Sequence, residues 1–94
     1  MPNSEEKQGR IGTVEMFRTL VSIGSTIWYI RSKNHVPIAV VGPRVVKSMT
    51  PDGTLLRVIL IDPSTGVESK HYDADLVARA HGVFFDPDVA QSYL

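Results

Sequence analysis

One short apolar stretch decides the fold of this chain: Leu55-Leu56-Arg57-Val58-Ile59-Leu60-Ile61. Six of its seven residues are aliphatic and three are β-branched. Turn-forming residues border it on both sides, with Pro51-Asp52-Gly53 before it and a turn over residues 62–66 after it. A short apolar run between turns is typical of a buried strand rather than a helix. We therefore predict a central strand over residues 54–61, with the flanking segments folded back on it as hairpins.

Three further segments have the composition of β-strands. Residues 26–31 carry apolar side chains on both faces, which predicts that both faces are partly covered. Residues 36–49 are interrupted by Gly42-Pro43, and proline cannot donate to a sheet ladder. This segment is therefore predicted to be either two short strands or one strand bent at that point. Residues 67–72 are more polar, as expected of an edge strand.

Helices are predicted near both ends of the chain. After Thr13, apolar residues recur on one helical face, with Thr13 placed to cap the helix and Gly24 placed to end it. The many Val, Thr and Ile residues in this segment leave a strand open as the alternative. Near the other end, Asp86 is predicted to cap a short helix that begins at Pro87. Between them, residues 76–80 are expected to form a last brief strand or a single turn.

Length and composition indicate one small domain. Ninety-four residues leave room for one modest core, and 43% hydrophobic content is ordinary for a globular protein. We expect residues 1–11 to form a flexible leader and residues 12–94 to form a single β-barrel domain. The chain has no cysteine, which excludes a disulfide framework and fits a reducing cytoplasm. No apolar run approaches the ~18–20 residues of a membrane span, so no membrane partner is expected.

The order of these elements resembles small SH3-like β-barrel modules, such as many short proteins of phages and other mobile elements. The resemblance is carried over residues 24–94 by Gly24-Ser25-Thr26-Ile27-Trp28-Tyr29, the Gly42-Pro43 bend, the apolar strand before Asp62 and Gly66, the pair Tyr72 and Leu76, and Asp86-Pro87. It implies a mainly β fold, a five-stranded barrel or sandwich with a short helix at each end. The paired aromatics and acidic loop of proline-binding SH3 domains have no counterpart here, so proline-peptide binding is not implied.

Charge is unevenly distributed along a chain whose net charge is zero. Residues 1–57 carry eight Lys and Arg against four acids, and residues 58–94 carry two against six, which gives +4 and −4. Either the first part forms a basic face for an anionic partner, or opposite charges pair across neighbouring strands. A nucleic-acid-binding face would use Arg31, Lys33, Arg44, Lys47 and Arg57.

His71, Asp73 and Asp75 are the best candidates for metal binding or catalysis. In an extended strand these alternate residues project from one face, so an imidazole and two carboxylates would converge. Such a set can hold a divalent metal, or supply a base that an acid orients. The same alternation also arises in a half-buried strand that has no site, because the residues between them are mostly apolar. No phosphate-binding glycine loop, nucleophile elbow or zinc-protease motif occurs in the sequence.

Val83, Phe84 and Phe85 form an apolar patch that either seats the C-terminal helix or contacts a partner. Since no catalytic constellation stands out, we expect a non-enzymatic interaction module without a cofactor. It would bind protein through exposed strand edges or through this patch, and self-association as a homodimer is one form of that binding. Nucleic-acid binding by the basic residues and metal binding at the histidine and aspartates are the alternatives.

Overall fold

The computed structural model describes residues 10–94, which form a six-stranded antiparallel sheet with three short helices. The strands are β1 (Arg10–Ile11), β2 (Thr26–Lys33), β3 (Val36–Asp52), β4 (Leu55–Ile61), β5 (Glu68–Tyr72) and β6 (Val83–Phe84). The helices are α1 (Val14–Leu20), α2 (Asp73–Ala78) and α3 (Pro87–Gln91). The strand order is β1-β6-β2-β3-β4-β5. The predicted mainly β class is confirmed, with six strands where five were predicted.

β4 is the strand that the apolar stretch predicted, and it pairs with β3 on one side and β5 on the other. Val58 and Leu60 on one of its faces are completely buried. Ile59 and Ile61 on the opposite face are only half buried, so the second face is partly covered. The predicted central position is wrong, because β2 and β3 occupy the middle of the sheet and β4 lies beside the edge strand β5.

β3 runs for 17 residues and serves two neighbours in turn. The part from Val36 to Val45 pairs with β2, and the part from Val45 to Asp52 pairs with β4. Its register with β2 shifts at Gly42-Pro43, so the predicted alternative of one bent strand is correct. Gly42 has a φ of +145°, and a Cβ there would overlap the Trp28 indole ring, so the bend needs glycine.

Two apolar clusters cover the two faces of the sheet. The larger lies on the face of Ile27, where α1 and α2 contribute Phe17 and Leu76. The smaller lies on the face of Ile30, where Phe84 and α3 pack. Because side chains alternate along a strand, β2 supplies residues to both clusters, as its apolar composition predicted.

The segment after Thr13, for which both a helix and a strand were considered, is the helix α1. Thr13 Oγ1 accepts a hydrogen bond from the backbone N–H of Met16 at 3.1 Å, which is the predicted cap. The helix ends at Leu20, so the prediction that Gly24 ends it is wrong. Gly24 instead lies in the turn into β2, where its N–H donates to the Val46 carbonyl at 2.8 Å.

α3 confirms the predicted C-terminal helix and its cap. Asp86 Oδ1 accepts a hydrogen bond from the backbone N–H of Asp88 at 2.8 Å. Val89 and Tyr93 pack against the smaller cluster, which holds the helix on the sheet. None of the helices in the described residues has the length and apolar character needed to cross a membrane.

Two residues that were predicted to lie in the leader, Arg10 and Ile11, belong to the folded part of the chain. Residues 1–9 of that leader lie outside the described residues. Arg10 and Ile11 form β1, which pairs with β6, and Ile11 is completely buried in the larger cluster. The folded domain therefore includes these two residues.

The segment after β5 is a helix, so the extended conformation predicted for residues 71–75 is wrong beyond Tyr72. Asp73 begins α2, and its carboxylate accepts hydrogen bonds from the backbone N–H of Ala74 at 2.8 Å and of Leu56 at 3.1 Å. Leu76 follows one turn later and is completely buried. The bonds to Asp73 and the burial of Leu76 together favour helix where alternation alone favoured a strand.

Candidate ligand-binding cleft

The predicted site at His71, Asp73 and Asp75 is not assembled, because the chain turns from β5 into α2 after Tyr72. Asp73 is completely buried, whereas Asp75 is exposed. His71 Nε2 shares a hydrogen bond with Ser69 Oγ at 2.8 Å. Within residues 10–94, no three His, Asp or Glu side chains are grouped so that they could hold a metal ion. The three residues therefore do not share the strand face on which the prediction of a metal site was based.

Asp73 is instead the centre of a structural ion pair. Its Oδ2 accepts a hydrogen bond from Arg18 Nε at 2.6 Å, in addition to its two backbone donors. Burial raises the pKa of Asp73, but the hydrogen bonds from Arg18 and the backbone outweigh it and leave the pKa below its ordinary value. Arg18 Nη2 also donates to the Thr54 carbonyl at 2.8 Å, so this arginine joins α1 to α2 and to the β3–β4 turn.

The predicted basic face is divided among ion pairs. These pairs are Arg44 with Asp62 at 3.5 Å, Arg57 with Asp52 at 3.3 Å, and Lys47 with Glu68. Internal pairing, one of the two predicted explanations of the uneven charge, is therefore confirmed for three of the five basic residues. Arg31 and Lys33 are exposed at the end of β2.

The apolar patch lies mostly inside the domain. Val83 and Phe84 form β6 between β1 and β2, and both are completely buried. The Phe84 ring lies 5.5 Å from the Tyr93 ring and packs under α3. Seating the C-terminal helix, one of the two predicted roles, is therefore what Phe84 does. Direct contact between a partner and Val83 or Phe84 would require the domain to open, and Phe85 is half buried.

An open cleft of about 610 Å³ lies beside the tip of the β2–β3 hairpin, and none of the predicted site residues lines it. One wall comes from β2 and the hairpin turn, and the facing wall comes from the end of α2 and the loop that follows it. The lining residues are Ile30, Ser32, Asn34, His35, Ala78, Arg79 and Ala80.

The short length of β6 leaves room for this cleft. β6 pairs with β2 only at Trp28 and Tyr29. Among the described residues, the end of β2 beyond Tyr29 therefore has a strand partner on its β3 side alone. Ala80 lines the cleft and belongs to the loop that leads into β6. This wall of the cleft therefore occupies the place beside β2 that a longer β6 would have filled.

The hairpin turn shapes the mouth of the cleft. Asn34 and His35 occupy the two turn positions with φ of 53° and 65°. A two-residue hairpin turn of this kind needs positive φ at both positions, and Asn and His tolerate it better than most residues. Both side chains are exposed at the cleft, so polar groups are presented there on a tightly constrained backbone.

Arg79 supplies the permanent charge of the cleft. Its Cζ lies 4.6 Å from the centre of the Tyr29 ring, so a cation–π contact holds the guanidinium in place. Its Nε is buried and has no hydrogen-bond partner in residues 10–94. The ion pairs of the described chain involve other basic residues. Arg79 is therefore a positioned cation that the described structure leaves without an anion.

His71 adds no positive charge near this arginine at neutral pH. Its ring lies 6.1 Å from the Tyr29 ring, edge to face. Burial lowers the pKa of His71 and the charge of Arg79 lowers it further, while Asp75 raises it and Arg44 adds a smaller lowering, with a net lowering of the pKa. The imidazole therefore stays neutral, and the positive potential in the cleft comes from Arg79.

Apolar side chains are exposed on the other strand of the same hairpin. Val36 and Ile38 of β3 are 57% and 47% exposed. In the described chain this part of β3 pairs only with β2, because β4 begins to pair at Val45. We use the name hairpin surface for Val36, Ile38 and the seven residues that line the cleft.

Sequence reasoning overlooked Arg79, although a signal was available. Arg79 stands alone among apolar residues in Leu76-Val77-Ala78-Arg79-Ala80. A lone cation in such a run is a candidate for a specific contact, but the segment that faces it lies in β2, far away in the chain.

The chain matches no protein-family model, no curated protein and no solved structure. The geometry of the hairpin surface therefore carries the functional inference.

Proposed function

We propose that this protein is a non-enzymatic interaction module of the cytoplasm that binds a segment of another protein on the hairpin surface. The observation that carries the proposal is the Arg79 guanidinium, held on Tyr29 beside an open cleft without an acidic partner in residues 10–94. The neighbouring Val36 and Ile38 supply the exposed apolar groups that protein partners cover.

Together these features suit the recognition of an extended segment. A segment that crosses the hairpin tip would cover Val36 on one side and enter the cleft beside His35 on the other. Completing the burial of two half-exposed aliphatic side chains contributes on the order of 1 kcal/mol each. With one charge-assisted contact and the cost of association, we expect dissociation constants on the order of micromolar to millimolar, as in transient complexes.

A different protein is a better candidate partner than a second copy of this chain. Self-association would pair the open side of β3 with its own copy around a two-fold axis. Pro37 and Pro43 border the residues that would pair, and proline supplies no backbone donor to a new strand. Nucleic acid has less support than protein, because Arg44, Lys47 and Arg57 already pair with acids.

Photo-crosslinking in the cells that make the protein tests the proposal. A photoreactive amino acid replaces Ile38 in the full chain, and the matched control carries it at Val67, which is 65% exposed in the turn before β5. We expect discrete crosslinked products from position 38 and none of them from position 67. The mass of each product separates a second copy from another protein. Identical products from both positions, or none from position 38, would contradict the proposal.

A further inference from the structure

We propose that the cleft binds a carboxylate carried by a peptide, and that Arg79 is the residue that recognises it. This inference rests on the proposed function and names the chemistry of its ligand. It starts from the difference between Arg79 and three arginines that pair with an aspartate. Arg18, Arg44 and Arg57 each have an aspartate within 3.5 Å.

The Nε of Arg79 is buried without an acceptor in residues 10–94, and so is the Nε of Arg57, which nevertheless pairs with Asp52. Arg79 differs from Arg57 in that its guanidinium has no acidic partner among the ion pairs of the described chain. Arg79 lies in the wall of an open cleft, so a ligand can reach its guanidinium. A planar carboxylate matches the fork of guanidinium donors and can accept two parallel hydrogen bonds from it. Ser32 and Asn34 on the facing wall can donate to the same ligand or to its backbone.

A purely structural role explains part of the position of Arg79. It follows the last residue of α2, where a positive charge interacts favourably with the helix dipole. Its contact with Tyr29 also covers part of the larger cluster. Neither contact supplies an acidic partner for the guanidinium, and neither needs an open cleft beside it. The ligand hypothesis accounts for both.

The composition of the cleft favours carboxylate over phosphate. Arg79 is its permanent cation, and the nearby His71 is held neutral by burial. Sites for doubly charged phosphate groups usually gather several arginines or lysines. The lining also includes Ala78 and Ala80, which can contact an aliphatic side chain. A singly charged carboxylate attached to an apolar residue fits this combination.

A titration of the ¹⁵N-labelled full chain, followed by NMR, tests the inference. The probes are acetyl-Ala-Ala-Val with a free C-terminal carboxylate, the same peptide as its amide, acetyl-Ala-Glu-Val amide, and inorganic phosphate. We expect the free acid to shift the amide signals of Ser32, Asn34 and Ala80 in a saturable way. The C-terminal amide should bind about tenfold more weakly, because it loses a charge-assisted contact. The glutamate peptide shows whether a side-chain carboxylate serves as well as a terminal one.

Two substitutions separate recognition from a structural role. Arg79→Lys keeps the charge after α2 but loses the planar fork, so we expect about tenfold weaker peptide binding with little change in Tm. The matched control Arg31→Lys changes an exposed arginine outside the cleft lining and should bind the peptide like the unmodified chain. Arg79→Gln should remove the binding.

Several results would overturn the inference. These are equal binding of the acid and the amide, unchanged binding by Arg79→Lys, tighter binding of phosphate than of the peptide, or no shift with any probe up to tens of millimolar. Crosslinking through position 38 that persists after such a result would leave the interaction module standing and remove carboxylate recognition alone. Carboxylate binding without crosslinking would support carboxylate recognition by the cleft and contradict the interaction module.

Discussion

Two arginines lie at the two ends of α2, and the structure holds them in opposite ways. At the first residue of the helix, the completely buried Asp73, the carboxylate lies 2.6 Å from the Nε of Arg18 in α1. After the helix, Arg79 lies against the Tyr29 ring and lines an open cleft. The comparison teaches that the partner decides the role of an arginine: one is committed to the fold, and the other is available to a ligand.

The largest effect is expected from Asp73→Asn. This change removes the charge that faces Arg18 and replaces one buried acceptor oxygen with a donor, so the free energy of unfolding should fall by about 3 kcal/mol. Urea denaturation at neutral pH measures it. The matched control is Asp75→Asn in the same helix, where the side chain is exposed and the change should stay within about 0.5 kcal/mol. Equal effects of the two substitutions would contradict the structural role assigned to the pair of Asp73 and Arg18.

A smaller loss is expected from Arg18→Gln. The substitution leaves the Asp73 carboxylate with its two backbone donors, so the penalty for an unpaired buried charge is only partial. Since the Arg18 side chain is 44% exposed, solvent weakens the pair, and we expect a loss of about 2 kcal/mol. In the double variant that also carries Asp73→Asn, the loss of stability should be smaller than the sum of the two single losses. Full additivity would show that the two side chains do not act as a pair.

Acid should weaken the ion pair of Arg18 and Asp73. The pKa of Asp73 is lower in the folded chain than its ordinary value of 3.8, so the unfolded chain takes up the proton more readily. The stability that this carboxylate contributes is complete above its ordinary pKa and is lost as the pH falls through the folded pKa. Thermal melts across that range should show a steeper loss of Tm in the unmodified chain than in Asp73→Asn. Parallel curves would contradict the assignment.

A smaller stability effect than that of Arg18→Gln is expected from Arg79→Gln. Its main contact is the cation–π interaction with Tyr29, so we expect a loss of less than about 1 kcal/mol in the same urea experiment. The contrast with Arg18→Gln is the sharpest stability test of the comparison. A loss as large as that of Arg18→Gln would identify Arg79 as a structural residue.

Local signals made much of this fold predictable. The apolar stretch before Asp62 predicted β4, Thr13 predicted the start of α1, and Asp86 predicted the cap of α3. In each case the structure is determined by neighbouring residues, through turn chemistry or a hydrogen bond within three positions. Gly42 likewise marks the bend of β3 because its backbone approaches Trp28 closely.

The two ends of α2 were not predictable from local patterns. His71 to Leu76 alternates like a strand, but the Asp73 carboxylate meets Arg18 and the backbone of Leu56, which lie far away in the sequence. The cleft likewise forms between β2 and Arg79, which come together only through the sheet order. Patterns within one segment carry no information about contacts between distant segments. Both the buried ion pair and the candidate site were therefore found only in the structure.

The most direct test of the difference between the two arginines is an NMR measurement of their side-chain Nε–Hε signals. The full chain, labelled with ¹⁵N, is titrated with acetyl-Ala-Ala-Val carrying a free carboxylate. We expect the Arg79 signal to move with the same saturation as the cleft amides, while the Arg18 signal stays in place because Asp73 already occupies its Nε–H. An Arg79 signal that does not move, or an Arg18 signal that moves equally, would contradict the assignment of the cleft as the binding site.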